Sequence, residues 1–217
     1  MDTLLYFLFT AAYMGLVIGG LRRQRSWNFM SFIYLVLLGL IYDNGMIALG
    51  KFIGEGPLLE NLSLLRFWSH AFLTPALVLF SYGALQEARV EWSRKRIIGI
   101  AAIFYTAALI IAELLLETIG MELMIEKEYG VLRYVSADPA SGPPIMVLLV
   151  SVVLLAAGAI LWKRRGWKWM LVGAVVMTIG SAVPIPVESS AATNAFELFL
   201  LAALVSTKVH LERRHDT

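Results

Sequence analysis

Seven stretches of the chain, residues 3–20, 28–50, 67–85, 97–119, 144–162, 169–187 and 192–210, are strongly apolar and nearly free of charge. A helix of about 20 residues crosses roughly 30 Å of bilayer hydrocarbon. Inside that layer only a helix or a closed barrel satisfies its own backbone polar groups. The pattern therefore predicts an all-α, polytopic integral membrane protein, a seven-transmembrane-helix bundle. No hydrophilic stretch is long enough for a second unit, so residues 1–217 read as one domain. Composition agrees, with 59% hydrophobic and 16% charged residues and a mean hydropathy of +0.74, far from ordinary soluble domains.

Charge sets the orientation, because Lys and Arg accumulate in cytoplasmic connections. Of the 18 Lys and Arg, 14 lie in the loops after the first, third and fifth segments or at the C-terminal end. The other side holds only Lys51, Arg66, Lys127 and Arg133. The N-terminus is expected outside and the C-terminus in the cytoplasm of a cell membrane, in keeping with an odd number of crossings. The first segment, "MDTLLYFLFTAAYMGLVIGG", lacks a basic leader and a small-residue cleavage pattern and runs into "LRRQR", so it reads as a retained helix rather than a cleaved signal. The basic loops suit anionic head groups. Membrane lipids are the expected partners, nucleic acid is not, and the oligomeric state is left open.

Two longer connections fall on the outer side. "KEYGVLRYV" reads as a short turn or hairpin, and "DPASGPP" as a breaker before the fifth helix. "KFIGEGPLLENLSLLR" has a Gly/Pro break and then apolar residues suited to the interface. Pro75 is expected to kink the third helix, and Pro184 and Pro186 to break the sixth within "VPIPVESS", a candidate rim. Gly15 with Gly19, and Gly173 with Gly180, are placed for close helix contacts.

The polar residues within the spans gather at one depth. At 1.5 Å per residue, Asp43 lies roughly 10 Å below the outer boundary. Arg66 and His70 enter with the third helix, Glu113 and Glu117 leave with the fourth, and Asn194 and Glu197 open the seventh. Faces match depth: Arg66, His70 and Thr74 share a stripe, as do Glu113 and Glu117. Inner halves are nearly all apolar, which favours an outward-opening pocket over a channel. Asp43, beside Asn44, either pairs with Arg66 or His70 or serves as a proton donor. Glu197 with Asn194 repeats the acid-amide pairing, while Glu117 is expected to snorkel outward and Glu188 to be solvated. Two acids from separate helices meet the minimum for acid–base chemistry. The catalytic candidates are Asp43, Glu197 and His70. The substrate-binding candidates are Asn44, Arg66, Asn194, Glu113, Tyr42 and Tyr13, with Tyr6 and Phe196 as further walls of an apolar slot.

Other chemistries lack their residues. The chain has no Cys, hence no disulfide or thiolate site. Retinal needs a mid-helix lysine, whereas Lys208 sits at the basic end of the last segment. A zinc hydrolase or bis-histidine haem needs several facing histidines, and His210 and His215 lie across the membrane from His70. No metal and no cofactor are expected.

Together "YDNGMIALG", "RFWSHAFLTP", "EYGVLRYVSADPASGPP" and "NAFELFLLAALVST" resemble a group of small prokaryotic multi-pass membrane proteins, a resemblance that carries no activity and implies a prokaryotic plasma membrane. In layout the chain is more distantly similar to the membrane-bound terpene cyclases, seven-helix proteins with one essential acid in the second helix and another in the last. That similarity implies roles for Asp43 and Glu197, although the Trp-Glu pair of the cyclases' second helix is absent. The leading expectation is a metal-independent membrane enzyme using paired acids on a lipid or isoprenoid substrate. The alternative is a transporter, receptor or ligand-binding protein with an outward-facing polar cavity for a small cation or polar solute.

Overall fold

The structure is a computed structural model that describes residues 2–138, 145–182, 189 and 191–213. Its helices are α1 (Asp2–Leu21), α2 (Ile33–Ile53), α3 (Pro57–Leu73), α4 (Ala76–Glu87), α5 (Arg96–Glu113), α6 (Ile145–Arg165), α7 (Trp169–Ala182) and α8 (Ala191–Arg213). A 3-10 turn, Phe29–Phe32, leads into α2, and a π-helical turn, Leu114–Thr118, extends α5. Among the described residues, six continuous stretches are long and apolar enough to cross a membrane: Asp2–Leu21, Phe29–Ile53, Pro57–Glu87, Arg96–Thr118, Ile145–Arg165 and Ala191–Arg213. The described part of α7 is apolar but only 14 residues long. The expected breakers at Pro184 and Pro186, the "VPIPVESS" rim, Glu188, most of "DPASGPP" and His215 lie outside the described residues.

Sequence signals account for the ends. Asn28 caps the turn before α2: its Oδ1 accepts the Met30 N–H at 3.0 Å, and Ser31 Oγ accepts the Asn28 N–H at 3.2 Å, a reciprocal capping box. At the far end of α2, Gly54 and Gly56 adopt φ of 82° and 145°, which only glycine accepts readily, and Pro57 then starts α3 at its first turn. Residues 57–66, expected to be an interfacial connection, are therefore helical, and the segment expected from residue 67 starts ten residues earlier in the chain. Nothing after Pro57 interrupts the helix until Thr74 and Pro75.

That interruption organises the bundle. Pro75 has no N–H to donate, so the ladder changes to short bonds, Leu77 N–H to Thr74 O at 3.1 Å and Val78 N–H to Pro75 O at 3.0 Å. Past it, every residue from Ala76 to Leu85 is buried. A helix buried all round is a central helix, and α4 packs with α6, α5 and the turn before α2. Before the break, α3 buries only Leu59, Ser63, Arg66 and Ala71. One apolar segment thus supplies a central half and a peripheral half. The core around α4 includes Leu37, Phe80, Leu161 and Leu204. Between α7 and α8, a β-carbon on Gly173 would stand 2.8 Å from that of Ala203, the close approach foreseen for that glycine. Gly15 and Gly19, by contrast, meet nothing within 4 Å.

Of the turn or hairpin expected within "KEYGVLRYV", the structure shows a hairpin, with a two-residue turn at Tyr129–Gly130 and both φ positive. It joins β1 (Leu123–Glu128) to β2 (Val131–Ser136), with Glu128 opposite Val131 and Leu123 opposite Ser136. Beside an otherwise helical chain, this ribbon covers one end of the bundle. Val131, Leu132 and Tyr134 are buried; Tyr134 Oη accepts the Gly56 N–H at 3.2 Å and Thr3 Oγ1 donates to Gly130 O at 2.6 Å. Gly50 of α2 lies so close to the Leu132 carbonyl oxygen that no β-carbon fits.

The opposite end is fastened by a buried ion pair. Lys208, placed by sequence among the basic residues of the surface, is 0% exposed. Its Nζ donates to Glu212 Oε1 at 2.5 Å, Ser31 Oγ at 3.2 Å and Ser26 O at 3.5 Å. Glu212 Oε2 also accepts the Arg25 N–H at 3.2 Å. The correction is physical: Glu212 stands one turn along α8 and supplies the counter-charge, while the loop before α2 closes over both.

Candidate functional site

Between the hairpin and the start of α4 lies a cavity of about 550 Å³. Its walls come from α2, α3, α5 with its π turn, α6, α7 and α8, and no α4 residue lines it. It ends where the central helix begins. A shallower groove of about 410 Å³, lined by Glu60, Asn61, Leu64, Glu122 and Leu123, adjoins it at Met121, which borders both. The void thus continues toward the hairpin end.

Asp43, Arg66, His70, Glu113, Asn194 and Glu197 all line this cavity. Six of the nine candidates therefore meet in one void although they come from four helices. Arg66 Nε donates to Asp43 Oδ1 at 2.8 Å, and Arg66 is only 8% exposed. Of the two candidate partners, it is Arg66 that forms the ion pair with Asp43. His70, one turn farther along α3, sets Nδ1 3.2 Å from Thr74 Oγ1. Glu197 projects from the second turn of α8, with the fully buried Tyr13 hydroxyl beside it. Tyr13 Oη faces the Glu197 carboxyl group. It lies behind Glu197 rather than on the cavity wall.

The other expected members have other duties. Tyr42 Oη donates to Leu62 O at 2.9 Å and ties α2 to α3. Asn44 is 0% exposed and returns its amide to Leu40 O at 3.0 Å within its own helix. Neither lines the cavity. Asn44 faces away because one residue along a helix turns the side chain by about 100° from Asp43. Tyr6 packs edge-to-face on Phe9 with ring centroids 6.1 Å apart, and Phe196 is packed tightly against Gly180. The apolar surface comes instead from Leu40, Phe67, Met121, Val147 and Met177.

Sequence reasoning missed Glu117, which lines the cavity rather than reaching the outer surface. Glu117 stands one turn beyond Glu113 on the same face, and a π turn brings Thr118 to that face as well: Ile119 N–H bonds to Leu114 O at 2.8 Å and Thr118 Oγ1 to Glu113 O at 3.3 Å, both five residues apart. The wider turn adds Thr118 to the wall of Glu113 and Glu117, and such turns are frequent at functional sites. Their spacing in the sequence hinted at a shared face but not at the extra residue. Thr193 and Ser136 also line the void, and nothing in the sequence distinguishes them from other end-of-segment polar residues.

Among the described residues, no three His, Asp or Glu groups are arranged to hold a metal ion. Chemically the described residues of the site offer carboxyl groups on four positions, one guanidinium and one imidazole, set in a largely apolar wall. No family model matches the chain, and neither the curated proteins nor the solved structures contain a significant match. Function is therefore read from the geometry.

Proposed function

We propose that this chain is a seven-span protein of the cell membrane, N-terminus and hairpin outside, and that its cavity is the active site of an acid–base enzyme acting on a lipid or isoprenoid molecule. The observation that carries the reading is that Asp43 of α2 and Glu197 of α8 open into one void of about 550 Å³ whose remaining wall is largely apolar. That volume suits a molecule of small-ligand size. The orientation is supported by the basic loops, which lie at the end of the bundle away from the hairpin.

In this reading Asp43, held against Arg66, takes a proton from the substrate and Glu197 delivers one. Tyr13 stands behind Glu197 to receive a hydrogen bond or donate one as the carboxyl changes state. His70 and Asn194 position the bound molecule. The reaction class is a proton transfer that isomerises, cyclises or hydrolyses, and the apolar surface beside the acids strengthens the electrostatic effect of each group.

The test works with an unidentified substrate. Purified protein in liposomes made from total bacterial lipid extract is incubated in deuterated water, and the lipids are read by mass spectrometry. A species that gains deuterium or converts to an isomer with the wild type, but with neither Asp43→Asn nor Glu197→Gln, supports the assignment. Full activity of both variants, or no change in any lipid with the wild type, rejects it. A soluble metabolite co-purifying in the cavity points instead to the transporter or binding reading.

A further inference from the structure

The charges facing the cavity do not balance. Asp43, Glu113, Glu117 and Glu197 line it, whereas Arg66 is the only Lys or Arg in its wall among the described residues. Arg66 is already committed to Asp43. Glu113 is 8% exposed, and its exposed part faces the void. Among the described residues no hydrogen bond or ion pair engages its carboxyl group, and the charged residue beside it is another acid, Glu117. Nearly buried carboxyl groups are ordinarily met by a cation or by donors. Here the described residues supply neither, while their spacing of one helical turn keeps both acids on the wall.

Resting on the enzyme reading above, we propose that the molecule bound in the cavity carries a positively charged head, an amine or quaternary ammonium, on an apolar body. The head sits between Glu113 and Glu117, and the body lies along Phe67, Val147 and Met177 toward Glu197 and Asp43. The adjoining groove bears the same sign: Glu60 and Glu122 border it where it meets the cavity at Met121. A cation approaching from the hairpin end thus passes carboxylates before it reaches the paired acids, which favours its encounter over that of an anion.

Binding of three probes of matched length, hexyltrimethylammonium, hexanesulfonate and hexanol, is measured by isothermal titration on the full-length protein in neutral-lipid nanodiscs. The ammonium probe is expected to bind at least ten-fold more tightly than either of the others. The Glu113→Gln/Glu117→Gln variant is expected to lose ten-fold or more in ammonium affinity, with hexanol unchanged as evidence that the cavity survives. Glu197→Gln is expected to keep most of the ammonium affinity. Equal binding of all three probes by the wild type, tighter binding of the sulfonate, or undiminished ammonium binding by the double variant overturns the proposal. These results involve no turnover, so they stand apart from the fate of the acid–base assignment.

Discussion

The ion pair at the end opposite the hairpin offers the sharpest energetic test of the structure. Lys208 and Glu212 have side chains 1% and 2% exposed. Each of the three Lys208 ammonium protons has an acceptor, Glu212, Ser31 or Ser26. Glu212→Leu leaves that ammonium with two neutral oxygens and takes the acceptor from the Arg25 N–H. Breaking one side of a buried pair costs about 3–5 kcal/mol, so a loss of about 4 kcal/mol is expected for Glu212→Leu and a similar loss for Lys208→Met. The double variant removes both charges and leaves apolar groups of similar size, an exchange that is often nearly neutral. It is expected within about 2 kcal/mol of the wild type, giving a coupling energy of at least about 6 kcal/mol. Equilibrium unfolding in mixed micelles, followed by far-UV circular dichroism, supplies the four free energies. Single variants that each cost under about 1 kcal/mol, or a double variant equal to their sum, would show that the two groups are not the buried, mutually dependent pair described.

Two further outcomes follow from the fold. Because the chain has no Cys, one reporter thiol is unambiguous: Glu128→Cys in the hairpin should react with a membrane-impermeant maleimide in intact cells and Arg94→Cys only after permeabilisation, and the reverse pattern would invert the proposed topology. Gly50→Ala drives a methyl group into the Leu132 carbonyl oxygen, so a loss of about 1–3 kcal/mol typical of overpacking and faster hydrogen exchange in Val131–Ser136 are expected. Wild-type values for both would mean that the hairpin does not rest on α2 there.

The fold and much of the site were legible because a membrane leaves few choices. Long apolar segments have to be helices, and a polar group at a given depth has to face inward. Asp43, Arg66, His70, Glu113, Asn194 and Glu197 could be placed together from depth and face alone, and all line one cavity. What escaped depends on contacts distant in sequence or on departures from 3.6 residues per turn. Lys208 reads as a surface cation until Ser31, 177 residues away, closes over it. Tyr42 shares a helix turn with Asp43 yet spends its hydroxyl on Leu62 O, a choice set by where α3 happens to pass. Glu117 shares the face of Glu113 but reads from its depth as a surface group, Thr118 needed the π turn to reach the wall, and the early start of α3 needed Pro57 to act as an initiator rather than a breaker.

The π turn has a consequence for any search for kin. Leu114–Thr118 closes its hydrogen bonds over five residues where an ordinary helix closes them over four, so the chain beyond it runs about one residue, or roughly 100°, out of step. Deleting one residue there would leave composition almost untouched while swinging Thr118 and Met121 off the wall and dragging the ribbon's attachment with them. A homologue that shares this cavity is therefore marked by the number of residues between Glu113 and Leu123 as much as by their identity, and an alignment that opens a gap in that interval joins proteins with different interiors.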